Sequence, residues 1–160
     1  MHVSIILATF IPSLAVLAAP VDINVGASTI DTRQARPTKP PPCVRQLNTT
    51  EPETKTRSNA FAQAFIYKKD ISEAFKYISN DYINHNPAAQ NGFDSAWNIL
   101  SPIWGSQNIT PLRTAFLSPH SWLNYRSGLG NVVDRYRWEG GCIVEHWDQG
   151  EAFPTSAAAV

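Results

Sequence analysis

The chain has 160 residues, with 13 basic and 13 acidic side chains and a formal net charge of zero. This length suits one domain that can bury a core. The balanced charge argues against nucleic acid or an anionic membrane as a partner. Aromatic residues make up 11% of the chain, with five Trp. They are typical of a well-packed core and also fit an aromatic-lined cavity.

The N-terminal segment is predicted to be a secretion signal. Residues 3–19 carry no charge and consist mostly of Ile, Leu, Val and Ala. Cleavage after Ala18 would place Val16 and Ala18 in the small-residue positions of a cleavage site. A membrane anchor is the alternative, but an apolar run of about 17 residues interrupted by Pro12 is short for a span. We therefore predict a signal peptide over residues 1–18 and a secreted protein that has no membrane association after cleavage.

Two further features agree with export. Asn48 and Asn108 each begin an Asn-X-Thr triplet, the acceptor pattern for N-glycosylation. Cys43 and Cys142 are the only cysteines, and an even pair in an oxidising compartment predicts one disulfide. Closing so long a loop would stabilise the fold by about 4–5 kcal/mol. The alternative is two unpaired thiols in a chain that is not secreted.

Composition divides the rest of the chain into an arm, a domain and a tail. Residues 19–54 are predicted to form a linker, extended or disordered as far as Cys43, because the proline-rich stretch 36–42 cannot build a core. The disulfide would then hold this arm across the outside of the sheet. The domain itself is expected over residues 55–151, followed by a disordered tail over 152–160.

Apolar residues at a spacing of three and four predict three helices in the first half of the domain. The first covers residues 55–68. The second begins after Asp70, a favourable N-cap with Glu73 three residues on. The third covers 92–103 and is ended by Pro102.

The second half of the domain has the pattern of β-strands. A short extended piece is expected at 81–86. The four main strands are predicted at residues 112–117, 122–126, 132–138 and 142–147, separated by turns that contain Gly or Pro. Helices followed by antiparallel strands predict an α+β fold with the helices packed on one face of a curved sheet.

The last two strands form a hairpin around Gly140-Gly141, since both central positions of a type I′ turn require positive φ. A two-residue turn, the preferred interpretation, sets Asp134 opposite Trp147 and Arg135 opposite His146. One face of the hairpin then carries Asp134, Tyr136, Glu145 and Trp147, and the other carries Arg135, Arg137, Val144, His146 and Asp148. A three-residue loop would instead set Asp134 opposite His146, because a one-residue slip exchanges the faces.

This hairpin, Asp134-Arg135-Tyr136-Arg137 followed by Ile143-Val144-Glu145-His146-Trp147-Asp148, resembles the C-terminal hairpin of SnoaL-like polyketide cyclases in the NTF2-like superfamily. The upstream motif Tyr82-Ile83-Asn84-His85-Asn86-Pro87 is similar to a second family motif. The resemblance covers residues 56–151. It implies a cone-shaped α+β fold, a pocket beneath the helices, no cofactor and a fold that often forms homodimers through its sheet.

Asp134 is the first candidate catalytic residue. An Asp in the middle of a strand opposes local β preference, and burying it costs free energy unless it is paired or protonated. A desolvated carboxylate suits general acid–base chemistry. The alternative is a solvent-facing Asp134 paired with a neighbouring Arg. The resemblance favours the pocket, because the matching family aspartate is the proposed acid/base of the aldol cyclases.

His85 and Asn124 are further candidates. The family motif places an imidazole near the pocket mouth at His85, although this side chain could equally orient the turn before Pro87 or cap a neighbouring helix. Asn124 stands where the family often has a His. A three-residue loop at 128–130 would set it opposite Asp134, where an amide can hold a carboxylate but cannot take up a proton at neutral pH.

The remaining candidates concern the ligand and a possible metal. His146 and Asp148 are interpreted as partners of Arg135 and Arg137 in a cross-strand charge network, and no metal is predicted because no third converging ligand is apparent. The candidate ligand contacts are Tyr82, Trp104, Trp122, Tyr136, Glu145 and Trp147. The sequence thus predicts a secreted protein whose pocket takes a hydrophobic small molecule, with cyclase- or isomerase-type chemistry. The alternative is a non-catalytic binding or dimeric interaction protein.

Overall fold

A computed structural model describes residues 36–128 and 130–155, so the predicted signal peptide lies outside the described residues. Helix α1 spans Glu51–Ala62 and continues as a π-helical segment, Gln63–Lys68. It begins four residues earlier than predicted because Thr50 and Glu53 form a capping box, in which each side chain bonds the other's backbone N–H.

The remaining helices are shorter than the apolar pattern indicates. Helix α2 spans Ile71–Phe75, and Asp70 is its N-cap as predicted, accepting a bond from the backbone N–H of Glu73. The apolar residue Ile78 does not continue the helix, because it already lies in strand β1, Ile78–Asn84. Helix α3 spans Phe93–Leu100, and a 3₁₀ turn follows at Trp104–Ser106.

Four more strands follow in the order expected. They are β2 Thr110–Leu117, β3 His120–Ser127, β4 Gly130–Glu139 and β5 Cys142–Trp147. The sheet has the order β1-β5-β4-β3-β2, and only the β1–β5 pair is parallel. Apolar residues of the helices and of one sheet face form a single buried core. The predicted α+β fold is confirmed. No helix within 36–128 and 130–155 is long and apolar enough to cross a membrane.

The hairpin of β4 and β5 has the predicted turn but not the predicted register. Gly140 and Gly141 have φ values of 54° and 76°, and Glu139 lies opposite Cys142. Beyond Trp138 the pairing slips by one residue, since Val144 forms a β-bulge. The expected pairs Asp134–Trp147 and Arg135–His146 are therefore wrong. Arg135 lies opposite Trp147, and Tyr136 lies opposite His146.

The N-terminal arm packs along the edge of the sheet. Cys43 and Cys142 form the predicted disulfide, and the backbone N–H of Cys43 donates to the carbonyl of Ile78 at 2.8 Å. A Cβ atom at Gly140 would lie 2.9 Å from Cβ of Arg45, so the arm can pass this close only over a glycine. The predicted path across the outside of the sheet is wrong, because the arm runs beside β1.

Residues 151–153 lie on the face of the sheet that is turned away from the helices, which we call the outer face. Glu151 accepts a hydrogen bond from Arg135 at 2.9 Å. The guanidinium of Arg113 lies 4.0 Å from the ring centroid of Phe153, a residue within the segment that the sequence predicts to be disordered. The tail therefore covers part of the outer face as far as Phe153.

Candidate functional site

A cavity of about 150 Å³ lies between the helices and the opposite, inner face of the sheet. We call it the inner cavity. Six aromatic side chains line it: Phe61, Phe65, Tyr82, Trp104, Tyr125 and Tyr136. Its polar lining consists of Asn84, Asn86, Asp134, His146 and Asp148. The predicted ligand contacts Tyr82, Trp104 and Tyr136 thus belong to this cavity.

Asp134 lies on the inner face with only 3% of its surface exposed. Its Oδ2 accepts hydrogen bonds from the hydroxyls of Tyr125, at 2.9 Å, and Tyr136, at 3.3 Å. Its Oδ1 lies 3.1 Å from Nε2 of His146. These three partners offset much of the free energy that burying a carboxylate costs.

Burial, followed by the negative charge of Asp134, raises the pKa of the Tyr82, Tyr125 and Tyr136 hydroxyls. Both effects act in the same direction, because a phenolate would be desolvated and would face another anion. The three hydroxyls therefore stay protonated at neutral pH. Tyr125 and Tyr136 act as hydrogen-bond donors to Asp134.

The β-bulge at Val144 turns His146 towards Asp134, and the surrounding amides orient its ring. The backbone N–H of Asn86 donates to Oδ1 of Asn84 at 3.0 Å, which identifies that atom as the acceptor oxygen. The same oxygen lies 3.3 Å from Nδ1 of His146, so Nδ1 carries a proton. Nε2 then faces Oδ1 of Asp134.

Asp148 follows β5 and completes a convergent cluster. Its Oδ2 accepts a hydrogen bond from Nδ2 of Asn86 at 2.7 Å. Ligand atoms of Asp134, His146 and Asp148 all lie within 4.8 Å of one another. By type these residues can move protons or hold a cation. The sequence interpretation missed the cluster because it placed His146 and Asp148 opposite Arg135 and Arg137.

The other candidate residues on the last hairpin lie on the outer face. Glu145 pairs with His85, Nε2 to Oε2 at 2.9 Å, and also with Arg137. Trp147 stacks on His85, with ring centroids 4.4 Å apart, and the Arg135 guanidinium lies 4.1 Å from its ring centroid. The bulge moves Glu145 and Trp147 away from the inner cavity. His85 faces them rather than Asp134.

Strand β3 contributes two more outer-face residues. Trp122 lies opposite Arg135, and Asn124 lies opposite Val133 rather than opposite Asp134. Asn124 donates to the carbonyl of Val132 at 2.8 Å. The predicted pair of Asn124 and Asp134 requires a three-residue loop between β3 and β4. The loop has two residues, because Ser127 already pairs with Gly130. Neither Trp122 nor Asn124 lines the inner cavity.

Comparison with known proteins identifies the fold. No protein-family model matches the chain, and no curated protein matches its sequence. An NTF2-like protein of unknown function from Mesorhizobium loti is 16% identical, with a TM-score of 0.51, over 68% of this chain and 100% of that one. An NTF-2 like protein of unknown function from Burkholderia xenovorans is 16% identical, with a TM-score of 0.51, over 66% of this chain and 90% of that one. The chain has an NTF2-like fold, as the sequence resemblance implies.

Proposed function

We propose that this protein is a SnoaL-like cyclase or isomerase that binds a small hydrophobic molecule in the inner cavity and needs no cofactor. The observation that carries the proposal is the hydrogen-bonded pair of Asp134 and His146 in an otherwise largely apolar cavity. A titratable pair in such a setting suits general acid–base catalysis, because desolvation strengthens its interaction with a reacting group.

In the reaction we propose, Asp134 takes a proton from the carbon beside a carbonyl group of the substrate. The carbonyl oxygen becomes an enolate oxygen, and His146 donates the proton that this oxygen needs. Tyr125 and Tyr136 hold the Asp134 carboxylate in position throughout. The other predicted catalytic residues, His85 and Asn124, lie on the outer face, so His146 rather than either of them is the partner of Asp134 in this proposal.

The second candidate function is a secreted binding protein without turnover, either a monomer or the homodimer that the resemblance implies. It is favoured by the three hydrogen-bond partners of Asp134. Hydrogen bonds to a carboxylate stabilise its charged form and make it a weaker base. In that case the pair would fix the orientation of a bound ligand without transferring a proton.

Asp134→Asn separates the two functions once a ligand is known. Carbonyl compounds with a single ring, small enough for a cavity of about 150 Å³, are screened by thermal shift, and those that bind are analysed for products. We expect Asp134→Asn to lower turnover by about 100-fold or more, the usual contribution of a general acid or base. Glu145→Gln, the same kind of change on the outer face, is the matched control and should retain turnover. Binding without any product supports the binding protein, and unchanged turnover in Asp134→Asn removes this residue from the mechanism.

Secretion and glycosylation are also part of the proposal. The disulfide fits an oxidising compartment, and the side chains of Asn48 and Asn108 are both exposed. We expect the mature protein to begin at Ala19 and to lose mass when treated with an N-glycan hydrolase. N-terminal sequencing and mass spectrometry test both points, and an intact N-terminus at Met1 contradicts the first.

A further inference from the structure

We propose that the ligand of the inner cavity is an organic ammonium, a positively charged amine on a frame about the size of one ring. This inference rests on the proposed function in one respect, that the cavity binds a small molecule. It adds the chemical class of that molecule, which neither the fold nor the sequence resemblance specifies. Three features of the cavity carry it: charge, aromatic lining and an unused hydroxyl.

The charge of the lining is negative. Among the described residues that line the cavity, Asp134, Asp148 and His146 are the acidic and basic ones, and none is Lys or Arg. Even with His146 protonated, the two carboxylates leave one net negative charge. Asp148 forms no ion pair with any residue of 36–128 or 130–155, and its Oδ2 has only the neutral Asn86 amide as a side-chain donor. Its Oδ1 accepts from the backbone N–H of Gln149 at 2.6 Å, and His146 is the group of the lining that could carry a positive charge near it. Because the lining contains two carboxylates and no Lys or Arg, the site favours a cationic ligand.

The aromatic lining suits an organic cation. Phe61, Phe65, Tyr82, Trp104, Tyr125 and Tyr136 surround the same space as the two carboxylates. The negative face of an aromatic ring attracts a cation, most strongly where water is excluded. Aromatic rings combined with a carboxylate can thus bind both the apolar frame and the charged group of an amine.

Tyr82 supplies a polar group that has no partner of its own. Its side chain is 4% exposed and lines the cavity, yet its hydroxyl makes no hydrogen bond with the residues of 36–128 and 130–155. The fully enclosed side-chain atoms without a partner in the described residues are Ser79 Oγ and Arg135 Nε, so the Tyr82 hydroxyl is not enclosed and can bond a ligand in the cavity. An ammonium N–H can donate to this oxygen while the charge faces Asp148.

The size of the cavity limits the frame. A dry cavity of roughly this volume, about 150 Å³, holds a molecule such as benzene. A divalent metal ion is the competing cation, since Asp134, His146 and Asp148 offer three ligand atoms. The rest of the lining favours the amine, because aromatic rings contact the apolar frame of an amine, whereas a hydrated metal ion gains nothing from them.

Isothermal titration calorimetry with three probes of matched shape tests the proposal on the protein with its disulfide intact. The probes are benzylamine, which is cationic at neutral pH, benzyl alcohol, which is neutral, and benzoate, which is anionic. We expect benzylamine to bind about tenfold more tightly than benzyl alcohol, and benzoate more weakly than either. Asp148→Asn should bring the amine and the alcohol to within about threefold of each other.

Asp94→Asn is the matched control, because it makes the same change at an exposed aspartate whose partner is Lys39. It should keep the preference for the amine. Equal binding of amine and alcohol by the unaltered protein overturns the ammonium proposal but leaves a small-molecule cavity. Failure of all three probes to bind counts against both proposals. The ammonium proposal is also overturned if the protein shows no preference for the amine and binds Mn²⁺ in a way that depends on Asp148. That result would assign the carboxylates to a metal site.

Discussion

The two faces of the C-terminal hairpin carry charged residues in different settings. On the outer face, Arg135 and Arg137 pair with Glu151 and Glu145, and these side chains remain partly open to solvent. On the inner face, Asp134 has a partner that is charged only when protonated, together with two tyrosine hydroxyls. The outer residues form a stabilising layer of ion pairs. The inner ones lie in the lining of the inner cavity.

The largest expected difference between the faces concerns packing. Trp104 stacks on Phe65 with ring centroids 4.0 Å apart and donates to its carbonyl at 2.7 Å. Trp104→Ala should therefore lower the free energy of unfolding by about 3–5 kcal/mol. Trp147→Ala, on the half-buried outer face, should cost about 1 kcal/mol, because a partly exposed side chain loses less apolar burial. Urea unfolding of both variants measures the difference, and equal losses would contradict the placement of Trp104 in the core on the inner side of the sheet and of Trp147 on the partly exposed outer face.

A smaller effect is expected from the hydroxyl that supports Asp134. Tyr125→Phe removes the 2.9 Å hydrogen bond to the buried carboxylate, and a bond to a charged group is worth about 1.5–3 kcal/mol. We expect a loss of that size in the free energy of unfolding. Tyr77→Phe is the control, because the Tyr77 hydroxyl has no hydrogen bond within residues 36–128 and 130–155. A Tyr125→Phe variant as stable as this control would show that the carboxylate does not need the bond.

The smallest effect concerns pH and the outer face. The hydrogen bond from His85, followed by those from Arg137, holds the pKa of Glu145 below its ordinary value of 4.5. Because the folded chain binds this proton less readily than the unfolded chain, the contribution of Glu145 to stability is present above that value. It is lost as the pH falls through the lowered pKa. In urea unfolding between neutral and acidic pH, Glu145→Gln should show a shallower loss of stability. If Glu145→Gln lost stability with falling pH as steeply as the unaltered protein, the result would argue against the pair of His85 and Glu145.

Much of the fold could be predicted from local chemistry. Gly140-Gly141 indicated the turn, Asp70 indicated a helix start, and β5 has the predicted bounds. The resemblance pointed to Asp134 as a pocket residue, and the structure buries it beside the inner cavity. The early start of α1 could also have been predicted, because Thr50 and Glu53 have the spacing of a capping box.

The full set of site residues could not be predicted from the sequence, because a single β-bulge determines which side chains of β5 face the inner cavity. In the structure Trp138 pairs with Ile143 and Arg137 pairs with Glu145, so Val144 is an extra residue of β5 without a partner on β4. Because Ile143 and Val144 are both apolar, their pattern does not indicate this extra residue. The three-residue loop considered as an alternative sets Asp134 opposite His146, whereas the structure brings them together through a two-residue turn and the bulge. The path of the arm was equally hidden, since a proline-rich stretch resembles a linker until its cysteine is paired.

A double-mutant cycle on the free energy of unfolding tests the inner pair most directly. Asp134→Asn and His146→Gln are measured singly and together, and the same cycle is made for Asp134 and Trp147, which face each other only in a hairpin without the bulge. Hydrogen-bonded neighbours couple by about 0.5–3 kcal/mol, whereas residues on opposite faces of the sheet that share no partner should be close to additive. The account predicts coupling of that size between Asp134 and His146 and none between Asp134 and Trp147. Additive effects for Asp134 and His146 would contradict it.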